Sequence, residues 1–192
     1  MVIKEERGLR DLLRKRCQLV QQKTQNLLSL QNIILRQTGT KRSGNKIKTL
    51  TIEEIPLYLK DRNVSLAALS NLKIIQMLQG EIYQLEKIVL KQARIKPEFK
   101  LLKTVPGIGE ILSLIIMLET GDIKRFEGVG NFSSYCRCVD SKKISNGKKR
   151  GENNKKNGNQ YLSWAFIEAA NFAIRFDDKI KKYYQKKLNK TK

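Results

Sequence analysis

The sequence predicts a mainly α protein, in which a long antiparallel helical hairpin or coiled coil precedes a small helical domain with a helix-hairpin-helix element and a basic loop. Three observations lead there. Apolar residues recur at steps of three and four over two long stretches. Proline and glycine then punctuate the chain between positions 97 and 109, and a run rich in Lys, Asn and Gly separates two apolar helical segments further on.

Residues 9–37 form the first predicted helix. Leu13, Cys17, Val20, Thr24, Leu27, Gln31 and Ile34 alternate steps of four and three, a heptad seam whose d-like positions are apolar and whose a-like positions are partly polar. Arg10, Arg14, Lys15 and Arg16 crowd its first half, and the breakers of residues 38–44 end it. A short element at 52–59 is interrupted by Pro56. A second long helix at 65–93 carries Leu72, Ile75, Leu78, Ile82, Leu85 and Val89 on one face. The two helices pair with each other or with a second copy of the chain. Pro97 closes this region, so the expected domains are 1–97, 98–178 and a basic tail at 179–192. Within the second domain, apolar helices are expected at 111–118 and 160–175. The second of these places Leu162, Phe166, Ala169 and Ala173 on one face and leaves Tyr161 and Trp164 off it.

Charge narrows the function. Among 192 residues, 39 Lys and Arg stand against 18 Asp and Glu, with no histidine, for a formal charge of +21. Such an excess argues against a metabolic enzyme for a small substrate and for a polyanionic partner, nucleic acid above all. No apolar run reaches the roughly 20 residues of a spanning helix, and residues 1–8 lack a signal-peptide core, so no membrane partner and a cytoplasmic, nucleoid-associated location are expected. Cys17, Cys136 and Cys138 read as reduced thiols, because an isolated Cys-x-Cys without histidine is a poor zinc site; no metal is expected in this chain.

Two segments carry candidate chemistry. In Lys103-Thr104-Val105-Pro106-Gly107-Ile108-Gly109 the glycines permit conformations closed to other residues and let phosphate oxygens approach the amides opening the next helix. Such a turn grips the nucleic-acid backbone without reading bases; the bland alternative is an ordinary inter-helix turn. The expected loop at 141–160 holds seven cations, Lys142, Lys143, Lys148, Lys149, Arg150, Lys155 and Lys156, against the single acid Glu152. It also contains Ser141 and Ser145, and a serine among cations suits attack on a phosphodiester. A solvated charged loop is the alternative. The tail, with seven lysines and two tyrosines, is either a basic arm on nucleic acid or a frayed end.

In this order, Lys103 to Gly109, Glu119-Thr-Gly-Asp122, Arg125-Phe126, Ser145-Asn-Gly-Lys148, Lys156-Asn-Gly-Asn159 and Ala169-Ala170 resemble the C-terminal transposase domain of the IS-one-ten group of insertion sequences, the DEDD, bridge-RNA-guided recombinases. The resemblance covers residues 99–175, and the helix from Leu9 looks like the coiled coil that precedes this domain. It implies that Ser145 is the nucleophile forming a covalent DNA intermediate, and it adds Asn159 to the nucleic-acid-binding positions. Asn146 stands where the group usually has glycine, and Cys138-Val139 replaces a Gly-Leu-x-Pro turn.

The resemblance also implies a preceding RuvC-like domain whose four carboxylates bind magnesium, for which residues 1–6 leave no room. The expectation is therefore a truncated transposase that binds DNA, with a guide RNA as a further candidate partner, and that is inactive alone. It would associate with itself or with full-length transposase through the helical hairpin. The alternatives are a non-catalytic nucleic-acid-binding module and a dominant-negative partner of the intact enzyme.

Overall fold

The computed structural model of the protein describes residues 4–93, 96–139, 142–152 and 157–191. They form two compact units, Leu12–Ile88, and Met1–Asp11 together with Val89–Lys192.

The unit Leu12–Ile88 is built on two long helices, α1 (Lys4–Thr38) and α4 (Arg62–Ala93), joined through the short helices α2 (Gly44–Lys48) and α3 (Ile55–Tyr58). Straight-chain Leu, Gln, Lys and Arg dominate α1, and these lose little rotamer freedom in a helix. Gly39, at φ +69°, closes it by donating its amide to the Leu35 carbonyl. Asp61 starts α4, its carboxylate accepting from the amides of Asn63 and Val64 at 2.8 and 3.0 Å.

The two helices run antiparallel. Hydrogen bonds join Arg16 to Glu86, Lys23 to Gln79 and Ser29 to Asn71, so the position on α4 falls as that on α1 rises. Between these polar edges lies an apolar core of Leu30, Ile33, Ile34, Leu72 and Ile75, closed by Ile47 of α2 and Ile55 of α3, with Leu19, Leu78 and Ile82 forming a second cluster. The buried stripe on α1 departs from the expected heptad positions. Leu13 and Ile34 lie inside and Val20 and Leu27 are half-buried, but Leu19, Leu30 and Ile33 are buried as well. Thr24 is exposed and bonds back to the Val20 carbonyl, while Gln31 Nε2 donates to the Arg42 carbonyl beyond the helix end. The polar a-like positions thus serve the edge and the turn, and the buried face is the broader stripe of an ordinary amphipathic helix. Pro56 begins α3 rather than interrupting it, since its missing amide costs nothing in a first turn.

The second unit contains α5 (Pro97–Leu102), α6 (Glu110–Thr120), a single 3-10 turn at Ile123–Arg125, α7 (Val129–Tyr135), the hairpin β1 (Lys142–Ser145) and β2 (Lys148–Glu152), α8 (Gln160–Phe176) and α9 (Asp178–Thr191). The centre is α6, buried at eight positions from Leu112 to Thr120 as befits a helix apolar on nearly all sides. Its antiparallel partner is α8, which turns Leu162, Ala165, Ala169 and Ala173 inward. Trp164 stays exposed, off that face.

Two segments are more regular than expected. The tail is helical because Asp177 accepts from the Ile180 amide at 2.9 Å and caps a lysine-rich segment of good helix formers. The region read as a basic loop contains an antiparallel hairpin, whose cause lies at its turn.

Candidate nucleic-acid interface

Asn146 and Gly147 both adopt positive φ, 54° and 71°, and link the paired residues Ser145 and Lys148. That is the two-residue primed turn whose twist matches the flanking strands, and Asn-Gly is its preferred sequence. Asparagine tolerates the left-handed region better than other side-chain-bearing residues. Asn146 therefore supports the turn without being a glycine. The register shifts between Lys143 and Ile144, leaving Arg150 as the extra residue of β2. Ser145 ends β1 and is exposed, next to the exposed Lys148 and with Arg150 exposed on the same hairpin. Lys142 and Lys143 lie on β1 and Lys149 on β2. Ser141, Lys155 and Lys156 lie outside the described residues.

The segments that flank this arm in the chain, residues 135–138 and 157–159, are fastened to each other. The Asn159 amide donates to the Tyr135 carbonyl at 2.7 Å. The Arg137 guanidinium donates to the carbonyls of Asn157 and Gly158 at 2.7 and 3.2 Å. Gly158 has φ +81°, and a Cβ there would sit 2.5 Å from the Tyr135 carbonyl oxygen, so only glycine allows the two strands of the neck to close. Arg137 itself is held at φ 57°, uncommon for a long side chain.

Asn159 has a structural task in this unit. It is 8% exposed. Its Oδ1 accepts from the amides of Tyr161 and Leu162 at 2.9 and 3.1 Å, capping α8, and its Nδ2 donates to Glu119 Oε2 at 2.7 Å. The Tyr135 hydroxyl lies 3.5 Å from the same Nδ2, and the Arg125 guanidinium stacks 4.7 Å from the Tyr135 ring and 4.5 Å from that of Phe126. Burial pushes the Tyr135 phenol up, but hydrogen bonds to Asn159 and Arg125 and the Arg125 charge draw it below its usual value. The nearby Cys136 thiol is pushed up to about 12, by burial first and by Cys138 second, so it is a neutral core residue at physiological pH.

The Lys103–Gly109 turn joins α5 to α6. Its two glycines differ. A Cβ on Gly107, at φ +86°, would meet the Ala169 carbonyl oxygen at 2.2 Å and the Ala173 nitrogen at 2.7 Å, so this glycine seats the turn on the α8 backbone. Gly109 faces open space and precedes α6, whose start has no side-chain cap. Lys103 Nζ reaches Glu110 at 3.3 Å and lies over the Phe99 ring, and the Thr104 hydroxyl donates to the Leu101 carbonyl at 2.8 Å.

These contacts fix the layout. Gly107 touches α8 near its end and Glu119 touches Asn159 at its start. The turn and the neck of the serine arm thus occupy opposite ends of the α6/α8 pair, separated by about 15 Å at 1.5 Å per residue. The two groups of candidate residues do not converge on one pocket. No three His, Cys, Asp or Glu side chains among the described residues cluster as a metal site.

Residues 99–185 match the family model of the transposase IS116/IS110/IS902 family. This segment is what resembles that family, and residues 1–98 lie outside the match. No curated protein matches the chain. The transposase segment runs from Phe99 in α5 into α9 and includes the glycine turn, the neck and the serine hairpin. No helix among the described residues is long and apolar enough to cross a membrane.

Glu119, Tyr135, Arg137 and Gly158 are the site residues that sequence reasoning gave no role. Glu119 and Gly158 lie inside segments quoted for the resemblance, whereas Arg137 carries no local signal. The Asn146-Gly147 pair was a legible hairpin signal.

Proposed function

We propose that the chain is a DNA-binding transposase component of an insertion-sequence system, in which the β1–β2 arm presents Ser145 as a nucleophile to the DNA backbone. The observation that carries this reading is the exposed serine beside the turn of a basic hairpin within the transposase segment. Lys148 and Arg150, with Lys142, Lys143 and Lys149 on the same two strands, neutralise phosphate and steer DNA to the arm. At the opposite end of α6, the Lys103–Gly109 turn acts as a helix-hairpin-helix grip, with the uncapped amides after Gly109 donating to a phosphate oxygen. The contact is to backbone and therefore independent of sequence.

In the chemical step Ser145 Oγ forms a bond to phosphorus as the bond from phosphorus to one deoxyribose oxygen breaks. The serine proton passes to solvent and the departing oxygen takes one up, so the phosphodiester is conserved in a covalent protein–DNA link. Surrounding cations stabilise the charge that builds on the phosphate oxygens.

A nicked suicide DNA substrate tests this directly. A covalent adduct that survives denaturation and disappears in Ser145→Ala supports it. Salt-sensitive binding without an adduct would make the chain a non-catalytic binding module. Offering single-stranded RNA in parallel reveals whether an RNA partner binds the same surface.

A further inference from the structure

The serine arm is a small two-stranded ribbon, and such a ribbon has too little buried surface to hold its own position. Its orientation must come from where it leaves the helical unit. That neck is tied three times. The Asn159 amide bonds to Tyr135 across it, Arg137 spans it to the carbonyls of Asn157 and Gly158, and Glu119 holds the Asn159 side chain from α6. The third tie differs in kind, because Glu119 is 3% exposed at the end of the central helix. A buried carboxylate bonded to a buried cap ties the neck to α6, the apolar centre of the unit.

We propose that Glu119 and Arg137 are positioning residues for Ser145. Glu119, acting through Asn159, and Arg137, acting through the carbonyls of residues 157 and 158, latch the neck and aim the arm. Neither touches DNA. Loss of the latch leaves the cations of the arm in place, so affinity survives while the presentation of Ser145 is lost. This rests on the reading of Ser145 as a nucleophile, but the latch itself can be measured without DNA. The Arg137 guanidinium is half-buried and directs Nε and one Nη at backbone carbonyls, which sets it apart from the exposed Lys148 and Arg150.

The test compares amide hydrogen exchange in the full chain and in Glu119→Leu, Glu119→Gln and Arg137→Ala. Glu119→Gln keeps an oxygen acceptor of the same reach toward Asn159 Nδ2. Glu119→Leu and Arg137→Ala should raise exchange at the Asn159 and Lys148 amides by about 10-fold, leave the α6 and α8 interiors unchanged, and spare DNA affinity. Glu119→Gln should behave like the parent. The proposal is overturned if the neck amides are unprotected in the parent chain, if the α6 and α8 interiors loosen equally in Glu119→Leu and Arg137→Ala, or if Glu119→Gln is as damaging as Glu119→Leu. Serine adduct yield is then read on the same variants. Absence of adduct in the parent chain counts against the nucleophile reading alone, because the exchange pattern still decides the latch. Where the parent does form adduct, equal yield in Glu119→Leu would overturn the positioning role.

Discussion

The two units of the molecule are held together in contrasting ways. Between residues 12 and 88, stability comes from repetition: Leu30, Ile34, Leu72, Ile75 and their neighbours each bury an aliphatic side chain, and no single position is irreplaceable. In the transposase segment, α6 supplies an apolar centre, but the architecture turns on single atoms. Gly107 admits the α8 backbone, Gly158 admits the Tyr135 carbonyl, and one asparagine both caps a helix and meets a buried acid. A periodic core tolerates conservative change, whereas a neck and a turn built on missing Cβ atoms do not.

The largest effect that would sharpen this contrast is at Gly107. Adding even a methyl group there collides with backbone at 2.2 Å and opposes a φ of +86°. Gly107→Ala should cost more than about 4 kcal/mol in chemical denaturation. Leu72→Ala, at a fully buried site of the helix pair, should cost about 2–4 kcal/mol by the same measurement. If the leucine substitution proved the more damaging, the contrast would be lost. Asn159→Ala comes next, at about 1–2 kcal/mol for the cap and its buried partner, with the loss concentrated at the start of α8. Arg16→Ala, which removes the part-buried ion pair with Glu86, should cost no more than about 1 kcal/mol, and less as salt is added.

The same contrast explains what could be read from the sequence. The helix pair was legible because burial repeats: Leu72, Ile75, Leu78, Ile82 and Val89 mark the inner face of α4 without reference to any other segment. Only the phase on α1 shifted, since Leu30 and Ile33 join the core beneath α2 and α3 while Leu19 packs separately with Leu78 and Ile82 of α4. The transposase segment was legible as an ordered set of short motifs, among them the glycine turn before α6. Their tasks were not, because they depend on residues far apart in sequence. Nothing near Gly107 announces Ala169, and nothing near Asn159 announces Glu119. The hairpin was within reach through Asn146-Gly147, but the surrounding lysines gave no strand-like alternation.

In the function proposed above, the arm bearing Ser145 is the basic element that lies along the DNA backbone. The most direct measurement is the salt dependence of DNA binding by the full chain and by Lys148→Ala combined with Arg150→Ala. If the arm lies on the backbone, removing these two exposed cations lowers the slope of log affinity against log salt by about 2, uniformly across DNA sequences. An unchanged slope would contradict the account and move the DNA to another face of the molecule.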